Sequence, residues 1–171
     1  QMIFQDPMSA LNPRKRIKSI ISGPMHVHRV TGIKQKVSLA LEMVGLSQSL
    51  AERFPHELSG GQRQRVGIAR AIALQPEFIV ADEIVSGLDV SSQAQVVNLL
   101  ERLVKDLGLT LLFISHDLSV IRKLCSIVVV MKSGKIVENA SVENLFCKPK
   151  SAYTKELLNA VPLPDMSQKW F

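Results

Sequence analysis

Leu58-Ser59-Gly60-Gly61-Gln62 is the strongest of several polar groupings in this chain whose residue types and spacing could do chemistry. Ser59 is a good helix N-cap, and the two glycines after it let backbone N–H groups approach an anion at the positive end of a helix; a phosphate suits both features. A cap with a flexible turn would explain Ser59 alone. It does not explain Gly60-Gly61 inside a first helical turn, where each glycine costs about 1 kcal/mol relative to alanine. Asp82-Glu83 closes the apolar run Phe78-Ile79-Val80-Ala81. Adjacent carboxylates at the end of a buried strand repel each other and lose solvation unless a cation or a water network relieves them. A hard metal such as Mg²⁺, held indirectly by Asp82, with Glu83 polarising a water, removes the conflict. The plainer alternative puts Glu83 in solvent and Asp82 in a turn cap. His116 follows Leu112-Phe113-Ile114-Ser115, either as a structural histidine or on the same sheet edge as the carboxylates. Ser86-Gly87-Leu88-Asp89 reads as a tight turn, and Gln5 ends the run Met2-Ile3-Phe4; taken singly, each is an ordinary loop feature.

Periodicity places these residues. Helical spacing predicts helices over 13–21 and 35–44, separated by Gly23-Pro24 and Thr31-Gly32, and a long helix from Ser59 to about residue 74 that Gln75-Pro76 stops. Beyond residue 76 strand-like and helical stretches alternate: a buried strand over 78–81, a helix over 91–107, a strand over 109–115, a helix over 117–124 and a third strand over 127–131. Ser133-Gly134 is a hairpin turn into 135–138, and short helices over 142–146 and 152–159 close the chain. Strand-helix alternation means an α/β fold, a mostly parallel sheet with its ligand at the strands' carboxyl ends.

The 171 residues, 46% hydrophobic and 21% charged, exclude a disordered, collagen-like or disulfide-stapled chain. The longest apolar runs fall far short of the ~20 residues of a membrane-spanning helix. Cys125 and Cys147 show no CxxC or metal-ligand spacing and read as free thiols. The net charge of +6 sits entirely in residues 1–36, which carry Arg14, Lys15, Arg16, Lys18, Arg29, Lys34 and Lys36 against Asp6. That is a solvated face or a contact with something anionic, and 5% aromatic residues leave little for stacking nucleic-acid bases.

Taken together and in order, the groupings are specific. Leu58-Ser59-Gly60-Gly61-Gln62-Arg63-Gln64-Arg65 resembles the signature motif of ATP-binding-cassette (ABC) ATPases, and residues 78–83 resemble their Walker B strand with its glutamate. Phe4-Gln5-Asp6-Pro7 resembles the Q-loop, Ser86-Gly87-Leu88-Asp89 the D-loop, and His116 the switch histidine. Residues 4–13, Leu88-Asp89-Val90-Ser91 and the tail from Pro149 through Tyr153-Thr154 and Leu157-Leu158 to Pro162 are similar to the ATPases of oligopeptide, dipeptide and nickel importers.

The resemblance implies a P-loop NTPase fold in which 1–12 is the Q-loop segment, 13–76 a helical subdomain, 77–140 a RecA-like core and 141–171 a helical tail. It further implies two head-to-tail ATPase subunits, identical or paralogous, sandwiching ATP and Mg²⁺. Ser59, Gly60, Gly61 and Gln62 would touch the γ-phosphate of the partner's ATP, Asp82 would hold the metal through water, and Glu83 would be the general base. His116 would touch the γ-phosphate. Gln5 would bridge metal, water and the coupling region, with Ser86 and Asp89 facing the partner subunit. Permease subunits, with an external solute-binding protein acting through them, would complete an importer at the cytoplasmic face of a bacterial or archaeal plasma membrane, and no nucleic acid is expected. The alternative is a soluble ABC ATPase acting on nucleic acid or ribosomes, supported by the charge alone. Two departures stand out. No GxxxxGK[ST] phosphate loop is present, so the chain is expected to be the carboxyl-terminal portion of such an ATPase and inactive alone. Ile84 stands where the family usually has proline, which frees φ and restores an N–H on the way to Asp89.

Overall fold

Three short strands form one parallel sheet in the order β1 (Met2–Ile3), β2 (Phe78–Asp82), β3 (Thr110–Ile114) in a computed structural model that describes residues 1–160. Its register pairs Met2 with Val80 and Ile3 with Ala81 on one side of β2, and Phe78 through Asp82 with Thr110 through Ile114 on the other. The apolar run 78–81 is thus the central strand, flanked by hydrogen-bonded neighbours on both edges. The described chain divides into two compact units, Gln1–Ile114 and a second from Ser115 onward.

The helices of the first unit follow from apolar spacing. α1 (Pro7–Ala10) is one turn; α2 (Ile17–Val27) buries Ile17, Ile20, Ile21 and Met25, and α3 (Ile33–Met43) buries Val37, Ala40 and Leu41. Two 3₁₀ turns, Gln48–Glu52 and Pro55–Glu57, lead into α4 (Gly60–Ile72), which buries Val66, Ile68, Ala69 and Ile72 and packs on α2 and α3. α5 (Val90–Leu107) buries Val96, Val97, Leu99, Leu100 and Leu103, and ends at Gly108 in the left-handed region.

Gly23-Pro24 does not separate two helices as expected: it lies inside α2, which starts at Ile17 rather than residue 13. An interior proline costs about 3 kcal/mol. Burial of Ile20, Ile21 and Met25, each about 1.5–3 kcal/mol, outweighs that cost and carries the helix on. Charge on this face is partly tied down, since Lys18 Nζ and Arg16 Nη1 reach the Glu52 carboxylate at 2.6 and 3.3 Å.

In the second unit, α6 (Leu118–Leu124) precedes β4 (Ile127–Lys132), β5 (Lys135–Ser141), α7 (Val142–Cys147) and α8 (Ala152–Ala160). Residues 127–131 were expected as a third parallel strand. Instead β4 pairs antiparallel with β5 in a sheet of its own, because Ser133 (φ 50°) and Gly134 (φ 76°) form the tight turn that folds one onto the other. The third parallel strand is β1. Among the described residues Cys125 and Cys147 are free thiols, and no helix is long and apolar enough to cross a membrane. The tail beyond residue 160, Pro162 included, lies outside the described residues.

Glu138, 8% exposed on β5, accepts the backbone N–H groups of Lys150 (2.8 Å) and Ser151 (2.9 Å) just ahead of α8. These donors, Lys150 first, hold its carboxyl below the ordinary 4.5. A lowered pKa stabilises the fold fully above the ordinary value and ceases to do so as pH falls through the lowered one. Glu138→Gln is therefore expected to lower the melting temperature at pH 7, with the gap from the unsubstituted protein closing as pH drops below about 4.5. Equal melting temperatures at pH 7 would refute the assignment.

Candidate functional site

Gln5 and Glu83 each stand two residues past a paired position, Ile3 and Ala81, so the parallel register alone sets them side by side. Gln5 Nε2 donates to Glu83 Oε2 at 2.7 Å. The Glu83 backbone takes a positive φ of 45°, its N–H donates to the Ile114 carbonyl at the end of β3 (2.9 Å), and Asp82 is the last residue of β2. The carboxylate pair therefore sits at the carboxyl ends of the strands, where an open parallel sheet presents a ligand.

Ser59 caps α4 in a reciprocal box. Its Oγ accepts the Gln62 N–H at 3.3 Å, and Gln62 Oε1 accepts the Ser59 N–H at 3.0 Å. The cap uses acceptor atoms on both side chains and leaves the Ser59 hydroxyl proton and the Gln62 amide N–H groups as donors. By helix geometry the N–H groups of Gly60 and Gly61 have no intrahelical acceptor. The opening of α4 is thus a surface of donors, which fits an anion.

Neither glycine is demanded by the fold. Neither has positive φ, and a Cβ at Gly60 would stand 4.0 Å from Leu88 Cδ2, one at Gly61 3.5 Å from Ser92 Oγ, both ordinary contacts. The same distances bring the start of α4 against the turn that opens α5. Asp89 caps α5 there, accepting from the Ser92 N–H (2.9 Å) and Oγ (2.7 Å). The Ser92 hydroxyl, then its N–H, holds the Asp89 carboxyl below its ordinary value.

His116 lies in the second unit, between Ser115, whose Oγ accepts the Asp117 N–H (3.0 Å), and Asp117, which caps α6 through the Ser119 N–H (2.9 Å) and Oγ (2.6 Å). Sequence reasoning missed two contributors. Arg70, whose pKa burial lowers, donates from Nη1 to the Ala10 carbonyl at 2.8 Å and lies over the Phe4 ring, so α4 steadies the segment that carries Gln5. Ser92 was readable, being three residues after an acidic N-cap.

A family model described as ABC transporter matches residues 1–86. The chain belongs to the ABC transporter family. It is 53% identical over 169 residues to an oligopeptide transport ATP-binding protein of Bacillus subtilis (strain 168), covering 96% of this chain and 55% of that one. Among solved structures, cbiO1 from Clostridium perfringens, part of an ABC transporter complex, superposes with a TM-score of 0.73 at 28% identity, over 86% of this chain and 59% of that one. A dimeric ATP-binding cassette in a post-hydrolysis state, bound to ADP and Pi, gives 0.70 at 28% identity, over 82% and 62%. The chain thus spans about half the length of the curated relatives it matches, 55% of the first. Its α/β fold, parallel sheet with packed helices, is that of ABC ATPase domains.

Within this ABC chain the glycine pair separates folding from function. Gly60→Ala and Gly61→Ala are expected to keep the melting temperature or raise it, by up to about 1 kcal/mol of stability each, since alanine favours the helix and its Cβ has room. A loss of more than about 1 kcal/mol in denaturant unfolding would show that packing needs the glycines.

Proposed function

We propose that this chain forms part of the ATP-hydrolysing subunit of an importer for oligopeptides or related solutes, and that it supplies the general base and a phosphate-binding surface. The observation that carries this reading is the 2.7 Å bond between Gln5 and Glu83, which puts a carboxylate and an amide at one end of a parallel sheet. Glu83 takes the proton of the attacking water. Gln5 holds that carboxylate in place and connects it to the segment running into α1 and α2. His116 and the Ser59-Gly60-Gly61-Gln62 donors oppose charge on the γ-phosphate, the latter on ATP held by a second ATPase subunit. Asp89 and Ser86 face that subunit. The glycines support this assignment, because without a Cβ they let a phosphate approach the backbone N–H groups closely.

Mg²⁺ fits only in one form. Among the described residues no group of three His, Cys, Asp or Glu could hold a metal, which disfavours an all-protein cage. A site of one carboxylate, Asp82, completed by water and phosphate oxygens, is how this ion is commonly held. Bound there, it would neutralise charge on the phosphates. The chain has no GxxxxGK[ST] sequence, so its own residues supply the base and the donor surface and not a phosphate loop.

A groove of about 440 Å³ beside the Gln5 segment, lined by Phe4, Ile20, Pro24, Lys15 and Arg70 among others, gives a membrane-embedded permease a place to dock. Its mixed lining, in which Asn12, Ser19 and Lys15 stand beside Phe4 and Ile20, suits a short amphipathic segment. The oligopeptide relative supports a peptide as cargo, and the subunit's place is at the cytoplasmic face of the membrane.

In the assembled transporter, Glu83→Gln is expected to cut phosphate release from ATP by about 100-fold or more while nucleotide-driven pairing of the subunits persists. Gly61→Ala, folded as above, is expected to weaken that pairing. Turnover unaffected by Glu83→Gln would overturn the reading.

A further inference from the structure

Glu83 has an uncommon backbone. Of the four non-glycine residues with positive φ among the described residues, Arg29 and Gln75 follow the ends of α2 and α4 and Ser133 makes the hairpin turn, whereas Glu83 stands at the proposed site. Such a conformation persists only where its surroundings hold it. Here both ends of the residue are fixed. The Glu83 N–H is bonded to the Ile114 carbonyl at 2.9 Å, and the Glu83 carbonyl accepts twice from one residue, from the Ser86 N–H at 3.1 Å and the Ser86 hydroxyl at 2.7 Å. Ile84 and Val85, 1% and 4% exposed, anchor the turn between them in the core.

We propose that Ser86 is a positioning residue for Glu83: its hydroxyl holds the Glu83 carbonyl in the left-handed turn that aims the carboxylate at Gln5 and the water beside it. This deepens the functional reading, rests on Glu83 being the base, and is distinct from a contact of Ser86 with the second subunit. Both bonds that Ser86 makes here, from its hydroxyl and its N–H, go to the backbone of the base, so loss of the hydroxyl is expected to bear on the chemical step. Alanine at 86 keeps the N–H bond and loses the stronger one, freeing the carboxylate to sample other directions; threonine keeps the hydroxyl.

The test compares kcat, KM for ATP and nucleotide-driven subunit pairing in the assembled transporter. Ser86→Ala is expected to lower kcat about three- to tenfold, the loss of one hydrogen bond, with KM and pairing unchanged, and Ser86→Thr to restore kcat. An unchanged kcat in Ser86→Ala, or a kcat as low in Ser86→Thr, overturns the proposal. So does a fall in pairing or a rise in KM that matches the fall in kcat, since Ser86 would then act through the partner or the nucleotide. Glu83→Gln is the separate control: turnover retained there defeats the base assignment itself, whatever Ser86 does.

Discussion

The parallel pairing of β1 with β2 is the constraint on which the site depends. Gln5 and Glu83 are separated by more than seventy residues of helix and turn, and only the match of Ile3 to Ala81 sets them side by side. A slip of one residue would turn the buried Ile3 to the other face and carry Gln5 away from the carboxylate. A two-residue strand has few ladder bonds with which to resist such a slip. Burial supplies the rest: Ile3 is 1% exposed, and the Gln1 carbonyl accepts from Val80 at 2.9 Å.

Helix α4 serves both halves of the site. Its first turn presents the Ser59 and Gln62 donors, and three turns on Arg70 reaches the Ala10 carbonyl and the Phe4 ring on either side of the Gln5 segment. Its core face is locked against α2 and α3 by residues that are almost wholly buried. The helix thus carries the donor surface at one end and holds the Gln5 segment at the other. The first turn also lies beside Leu88 and Ser92, next to the Asp89 cap of α5.

What the amino-acid sequence discloses is local. Ser59 with Gln62 three residues on is a capping box, Asp89 with Ser92 an N-cap, and Ser133-Gly134 a tight hairpin, and each forms as its residue types require. The central strand and the helix after it were legible from hydrophobic period. Three features were not. Pro24 inside α2 is a local stop overruled by burial on α4, which no window of α2 contains. The pairing of Met2–Ile3 with β2 joins segments with no shared local signal, so a parallel partner was sought in residues 127–131, which fold back on β5 instead. The left-handed Glu83 is invisible because glutamate has no preference for that region; the bond of its N–H to the Ile114 carbonyl, together with the local Ser86 bonds, holds it there.

Ile84 is where the chain departs from the proline usual in the family. Read against the family, its loss of the proline ring suggested a looser path to Asp89. In the fold the ring's constraint is replaced by packing, since Ile84 and Val85 are buried and the turn is closed by Ser86 on Glu83 and by the Leu88 N–H on Val85 at 3.4 Å. The exchange is not neutral for the residue before it. A proline restricts the backbone of its predecessor, a restriction isoleucine does not impose on the left-handed Glu83. A side chain buried in the core thus stands beside the left-handed Glu83, whose backbone is fixed at both ends by bonds to its peptide groups.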